Sequence, residues 1–204
     1  MGTAKSGDSE LIRLTMVDYF SEEILVNNIV LPNVPMSHLN TKYSGVTWGD
    51  MKNAQRKGTG LDGKAGAREA FWKYVGPNTI VIGHGVMNDL RSLRIIHMLI
   101  VDSFAIEHRR FTAKQKEEEK RKNEMIAQGL ITDEDLEEER KSKEAAASGE
   151  EKVKKKKKGG TMSLKTLAKQ YLGRDIQMGK GHDSLEDAVA ARDLVHYNVL
   201  GLGE

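Results

Sequence analysis

Between Ile80 and Asp102 the chain reads as a strand, a helix and a second strand, and that order limits the possible folds more than any other stretch. Ile80-Val81-Ile82 is a short apolar run with β-branched residues, too short for a helix and bounded by turn formers. The spacing after Gly85 predicts a helix from Val86 to about Met98, with Leu90, Leu93 and His97 on one face. Leu99-Ile100-Val101-Asp102 then reads as the second strand. Two strands joined through a helix pair in parallel by a right-handed crossover, which places the chain in the α/β class.

The flanking segments fit that class. Leu11 to Asp18 and Ile24 to Leu31 are strand-like, with Tyr19 to Glu23 as a hairpin connection. Pro32 and Pro35 mark an extended segment up to Gly45, and Thr47 with Asp50 has the spacing of a helix-capping box. Lys64 to Val75 reads as a helix stopped by Gly76-Pro77. Ser163 caps a helix over Leu164 to Leu172 that Gly173 ends, and a last helix starts near Asp183 or Ser184 and runs to about Val199. Asp183 and Glu186 form a D-x-x-E version of the capping box. Both tryptophans, Trp48 and Trp72, are expected in the core, with base stacking as the alternative for them and Tyr74.

Composition changes sharply in the middle. Charges of both signs dominate from Lys114 to Lys158, ending in five consecutive lysines, Lys154 to Lys158. Such a segment buries no core of its own. The expected organisation is one domain from residues 1–110 and 160–204, interrupted by a charged insertion over 111–159. The insertion reads as a solvated surface segment, or as a nuclear-localisation or phosphate-binding patch around Lys152 to Lys158. A net charge of +2 does not by itself announce a nucleic-acid binder. There are no cysteines, hence no disulfide frame and no thiolate metal site. No run is apolar enough to span a membrane and the first residues lack the apolar core of a secretory signal, so an intracellular protein is expected. Gly2 to Ser6 matches a bare myristoylation pattern, which occurs often by chance.

Three side chains carry the chemistry. Asp89 falls in the first turn of the helix after the Ile80 strand, over the carboxyl end of the sheet, where α/β proteins bind ligands. Asp187 falls in the first turn of the last helix, and His182 lies just before it. Phosphodiester hydrolysis needs an activated water and neutralised phosphate charge; carboxylates hold the hard cations that supply them, and an imidazole accepts a proton near neutral pH. Taken singly, each residue has a simpler reading: both aspartates as acids complementing a helix dipole, His182 as a capping or loop residue. His84 and His97 are read as structural.

The segments Gly83 to Leu90, Val101-Asp102-Ser103, Ser163 to Ala168 with Tyr171-Leu172-Gly173, Ile176 to Gly179 and His182 to Ala191 together resemble the DEDDh 3′–5′ exonucleases. The similarity is greatest to the eukaryotic RNA exonuclease branch, which includes the interferon-induced and ribosomal-RNA-processing exonucleases, and Tyr43 to Thr47 is similar to that branch as well. The resemblance implies a ribonuclease-H-like fold with a mixed central sheet flanked by helices. It implies RNA, or single-stranded nucleic acid, as substrate at its 3′ end, and two Mg²⁺ or Mn²⁺ ions. It makes Asp89 and Asp187 metal ligands and His182 the general base. A nuclear location is expected with it.

One family feature is missing. The family ends its first strand in Asp-x-Glu, and Met1 falls where the residue after that glutamate belongs. The only Asp-x-Glu of this kind near the start, Asp8-Ser9-Glu10, precedes an apolar strand and does not end one. The expectation is therefore an exonuclease fold without its first strand and first acidic motif, a start assigned late or a fragment being favoured over a variant isoform or a degenerate relative. Such a chain is weakly active or inactive; the alternative is a non-catalytic nucleic-acid-binding module with the same fold.

Overall fold

In the computed structural model, residues 1–132, 135, 162–179 and 181–201 are described; the lysine run expected to act as a patch lies outside them. They divide into two units, Met1–Ala105 with Ser163–Glu204, and Ile106–Met162. The second unit contains most of helix α5 (Ser103–Ala127), whose sequence is charged along most of its length.

The first unit is mixed α/β. Strands β1 (Gly2–Ala4), β2 (Ser9–Glu10) and β5 (Met36–His38) form a small antiparallel sheet in the order β2-β1-β5. Strands β3 (Arg13–Val17) and β4 (Ile24–Leu31) make the expected hairpin, and β6 (Leu61–Asp62) joins β4 in parallel. Strands β7 (Val81–Gly83) and β8 (Ile100–Asp102) pair in parallel across helix α4 (Val86–Leu93), which is the strand–helix–strand unit read from the sequence. Among the described residues the mixed sheet is thus in pieces, with β3 at the edge of one piece and β7 and β8 alone in another.

Helices α1 (Thr41–Ser44), α2 (Trp48–Lys57), α3 (Gly63–Trp72), α6 (Leu164–Leu172) and α7 (Ser184–Val199) complete the unit. Their caps follow local chemistry. Thr47 and Asp50 form a full reciprocal capping box on α2, and Ser163 accepts from the Thr166 N–H at the start of α6. Asp183 caps α7 by accepting from the Leu185 N–H, but the expected partner Glu186 is turned away, its carboxylate accepting from the backbone N–H of Gln177 instead.

Helix α4 is shorter than its periodicity suggests. Arg94 takes a left-handed conformation at its C-cap, and the Ile95 N–H bonds back to the Leu90 carbonyl. This closes the helix one turn early and drops Ile95 into the core. His97 therefore lies outside the helix, in hydrogen-bond contact through Nε2 with the Thr79 carbonyl.

Leu11 just before the hairpin and Leu14, Val26 and Val30 within it pack with Ala67, Phe71 and Val75 around α3 and with Val86, Leu90 and Leu93 of α4. Burying each such aliphatic or phenyl side chain contributes about 1.5–3 kcal/mol. A second cluster joins α6 to α7 through Leu164, Leu167, Ile176, Ala190 and Leu194. The tryptophans do not join either: Trp48 is 50% and Trp72 45% exposed. Phe71 takes the inward position at the end of α3, which turns its neighbour Trp72 outward, edge-on to the Phe71 ring.

Candidate active site

Helix α7 begins at Ser184, so Asp187 stands in its first turn and His182 on the turn leading into it. His182 Nδ1 lies 3.8 Å from Asp187 Oδ2, an ion-pair distance when the ring is protonated. The other carboxylate oxygen, Oδ1, accepts from Gln177 Nε2 at 2.9 Å. Burial pushes the Asp187 carboxyl above its ordinary value, while the Gln177 hydrogen bond and the His182 ring pull it down.

Gln177 belongs to the Ile176–Gly179 segment, and its residue type alone assigns it no role in the chemistry. Its backbone is left-handed, φ 58°, which costs a non-glycine residue about 1–2 kcal/mol. The conformation is held from both sides: the Gln177 N–H donates to Glu186, and Lys165 Nζ donates to the Gln177 carbonyl. This fixes the side chain that orients Asp187. The signal lay in the pairing of Gln177 with an acid nine positions on, which no local periodicity reveals.

The turn bearing His182 rests on the end of α1. Gly45 caps that helix with φ 66°, and a Cβ there would collide with the His182 carbonyl oxygen. A Cβ on Gly181 would meet the Thr41 carbonyl at 2.7 Å. Glycine at both positions allows the close approach that sets His182 beside Asp187. Tyr43 completes the support with its ring edge-on to His182, centroids 5.8 Å apart.

Asp89 stands in the first turn of α4, and Asp102 at the end of β8 holds the turn before it by accepting from the Gly85 N–H. Asp89 and Asp187 line one cleft of about 1080 Å³. His182 is not among the cleft's lining residues but reaches the site through Asp187. Asp8 and Glu10 stay away from the cleft; Ser6 donates to Asp8, and Glu10 pairs with Lys64 at 2.8 Å. His84 lies on the cleft wall, its Nδ1 3.0 Å from Ser103 Oγ.

Asp89 keeps contact with solvent, yet the surrounding protein desolvates its carboxylate and pushes its pKa up to about 6; the Met1 α-amino group lowers it and Asp102 adds to the rise. In metal-free buffer its carboxyl NMR signal is expected to titrate near that value. The unfolded chain ionises this group first, near its ordinary value of about 3.9. Between the two values the folded state binds the extra proton, so stability falls as pH rises through that window. Solvent screening keeps the effect small. Urea midpoints compared at pH 4.5 and 6.5 should show a fall that Asp89→Asn removes; an equal fall in the variant would assign it to another group.

Two hard cations about 3.5–4 Å apart require several carboxylates from separate elements. The cleft holds Asp89 and Asp187 at this end, and among the described residues no group of three or more His, Asp or Glu side chains gathers to hold one ion. The residues present therefore do not fit a two-ion centre. What they do provide is an oriented carboxylate with an imidazole beside it, which can accept a proton from water and retain it.

Known proteins place the chain. It is 33% identical over 192 residues to RNA exonuclease 3 of Eremothecium gossypii, covering 93% of this chain and 36% of that protein. RNA exonuclease 3 of Saccharomyces cerevisiae is 28% identical over 190 residues, with 93% and 34% covered. RNA exonuclease 1 of the same yeast is 26% identical over 193 residues, with 93% and 25% covered. The chain spans about a third of the first of these relatives. No family model matches. Among solved structures, the Neurospora crassa Pan2 catalytic unit, with protease and nuclease domains, superposes with a TM-score of 0.56 at 19% identity, covering 93% of this chain and 25% of that one. The Saccharomyces cerevisiae Pan2 pseudoubiquitin hydrolase–RNA exonuclease module in complex with A7 RNA gives 0.57 at 20% identity, covering 94% and 25%. In sequence over nearly its whole length this chain is a homologue of the RNA exonucleases 3 and 1, and the likeness is consistent with the DEDDh-type motifs it carries.

Proposed function

We propose that the unit formed by Met1–Ala105 and Ser163–Glu204 serves RNA 3′–5′ exonucleolysis, releasing 5′-mononucleotides. The observation that carries this reading is the His182–Asp187 pair at the cleft that also receives Asp89. In this reading His182 accepts the proton of the attacking water. Asp187, fixed by Gln177, orients the imidazole and stabilises it once charged. Asp89 adds the second carboxylate, and Mg²⁺ or Mn²⁺ is the expected cofactor once further carboxylates join the pair. The five lysines Lys154 to Lys158 are the sequence support for a nuclear location.

Direction is read from substrate ends. In a form of the chain carrying an added Asp-x-Glu strand, a 5′-labelled oligoribonucleotide should give a descending ladder one nucleotide at a time. The same oligonucleotide blocked by a 3′-phosphate should resist. Cleavage that begins at the 5′ end, or internally, would overturn the assignment.

The incomplete carboxylate set favours a second reading for residues 1–204 by themselves: RNA binding without cleavage. Its mark is affinity for single-stranded RNA that falls steeply with added salt while the RNA stays intact.

A further inference from the structure

A separate surface lies at the other end of the β7–β8 pair, away from the candidate active site. Asp89 follows the carboxyl end of β7, and Asp102 closes β8. The amino ends of the two strands are preceded by Thr79-Ile80 and by Ile95 to Leu99. An extended chain from Thr79 to Gly85 runs about 20 Å, so the two ends are well separated. At the amino end four large apolar side chains stand in solvent: Ile96 is 89%, Met98 86%, Trp72 45% and Leu99 42% exposed. None of them lines the cleft.

The segment's own hydrogen bonds keep these side chains outside. Left-handed Arg94, φ 55°, and the bond from the Ile95 N–H to Leu90 send Ile95 into the core and leave Ile96 outward. His97 Nε2 lies 2.7 Å from the Thr79 carbonyl oxygen, and the Leu99 carbonyl accepts from the Val81 N–H at 2.9 Å, which fixes Met98 between two anchors. The His97 ring also lies 6.4 Å from that of Trp72, so the end of α3 joins the same surface. Side chains positioned in advance lose little freedom when a partner arrives. A single exposed apolar residue needs no explanation, but four on one anchored surface do.

Size limits the occupant. Free side chains of this kind expose roughly 200 Å² each, so these four together present on the order of 500 Å². An apolar patch of that size on a monomer is often functional. A stable protein–protein interface takes about 800 Å² from each partner. The patch is too small to hold a stable dimer by itself and suits one short segment.

Charge selects it further. Arg94 and Lys73 are exposed next to the apolar residues, and neither makes an ion pair among the described residues. Lys73 rests over the Tyr74 ring, 5.4 Å from its centroid. From Arg91 to Leu99 the chain carries two arginines and no acid, and from Arg68 to Tyr74 the one acid, Glu69, stands against Arg68 and Lys73. A second copy would set these cations against their own kind across a two-fold axis. Nucleic acid would meet the cations, but its interfaces are polar, and Ile96 and Met98 offer it no polar group. Protein interfaces concentrate aromatic residues, Met and Arg, which is the composition here.

We propose that Trp72, Ile96, Met98 and Leu99 form a docking site for a short acidic segment of a partner protein. Two or three large apolar side chains of the segment cover the patch, and its carboxylates pair with Arg94 and Lys73. The site lies apart from Asp89 and Asp187, so it holds a partner without closing the cleft. Docking here does not depend on the exonuclease reading.

The test presents residues 1–204 to a displayed library of random dodecapeptides, with the double variant Ile96→Asp, Met98→Asp as counter-selection. Both side chains stand in solvent, so the fold tolerates the change. Peptides retained by the unmodified chain should combine two or more large apolar residues with Asp or Glu. A synthetic copy of the most enriched peptide should bind the double variant at least about tenfold more weakly. It should bind a chain carrying Arg94→Gly and Lys73→Gln about fivefold more weakly. Glycine at 94 keeps the left-handed turn while removing the cation. No enrichment over the double variant would overturn the proposal, and so would retained peptides that lack acids or bind all variants equally. Self-association of the unmodified chain in sedimentation, lost in the double variant, would give the surface to a second copy and overturn it. Affinity for a labelled single-stranded oligoribonucleotide that is lost in the double variant, with no peptide retained, would give the surface to nucleic acid and overturn it as well.

Discussion

Residues 1–204 are expected to trim a 5′-labelled oligoribonucleotide in Mg²⁺ at least about a thousandfold more slowly than the same chain preceded by an apolar strand ending in Asp-x-Glu. The physical reason is charge. The phosphodiester is anionic and gains further negative charge as water attacks. Asp89 and Asp187 are anionic too, and without enough carboxylates to retain cations they repel the substrate. Cation stabilisation of such a transition state is worth several kcal/mol, and about 1.4 kcal/mol corresponds to each tenfold in rate. Three tenfold steps are thus a lower bound. Asp89 already shows the strain of the arrangement, since desolvation pushes its carboxyl up to about 6. Single-turnover rates on one oligonucleotide, measured in both chains at equal enzyme and Mg²⁺, decide the matter. Equal rates would mean that carboxylates already within residues 1–204 complete the site, and would end the reading of Asp89 and Asp187 as half of one.

Much of this arrangement was legible because the determining physics is local. Thr47 and Asp50 at capping-box spacing, Ser163 before an amphipathic run and Gly173 after it each mark a helix boundary through one or two backbone hydrogen bonds. The parallel β7–β8 pair follows from chain connectivity alone. The failures are at positions where a distant partner decides. The apolar pattern of α4 continues past Leu93, but the Ile95-to-Leu90 backbone bond and the left-handed Arg94 end the helix there. Glu186 has the spacing to cap α7, yet the Gln177 N–H outcompetes the cap. Trp72 looked like core by residue type, but adjacent Phe71 faces inward and two neighbours on a helix cannot share that face. In the site, His182 and Asp187 are sequence neighbours and could be paired on spacing. Asp89 joins their cleft only through the fold, and Gln177 enters through a left-handed backbone that residue type does not announce.

Replacing His182 with alanine, in the chain completed by an Asp-x-Glu strand, is expected to lower kcat for RNA about 10²–10⁴-fold while KM changes by less than about threefold. A proton acceptor acts on the transition state far more than on the bound substrate, so the loss falls on kcat. The 3.8 Å separation from Asp187 is longer than a hydrogen bond, as is common before substrate tightens a site. A merely structural histidine could lower activity by loosening the turn on α1, and two readouts separate the cases. Added imidazole should restore part of the rate, because removing the ring leaves space beside Tyr43 and the α1 end that supported it. The pH profile should also move. A base must be unprotonated to accept the proton, so the acid limb that its protonation imposes on the rate should be lost with the ring. Loss of activity without rescue, with an unmoved acid limb and a lower unfolding midpoint, would make His182 a support for the turn and leave the proton acceptor to be found elsewhere in the cleft.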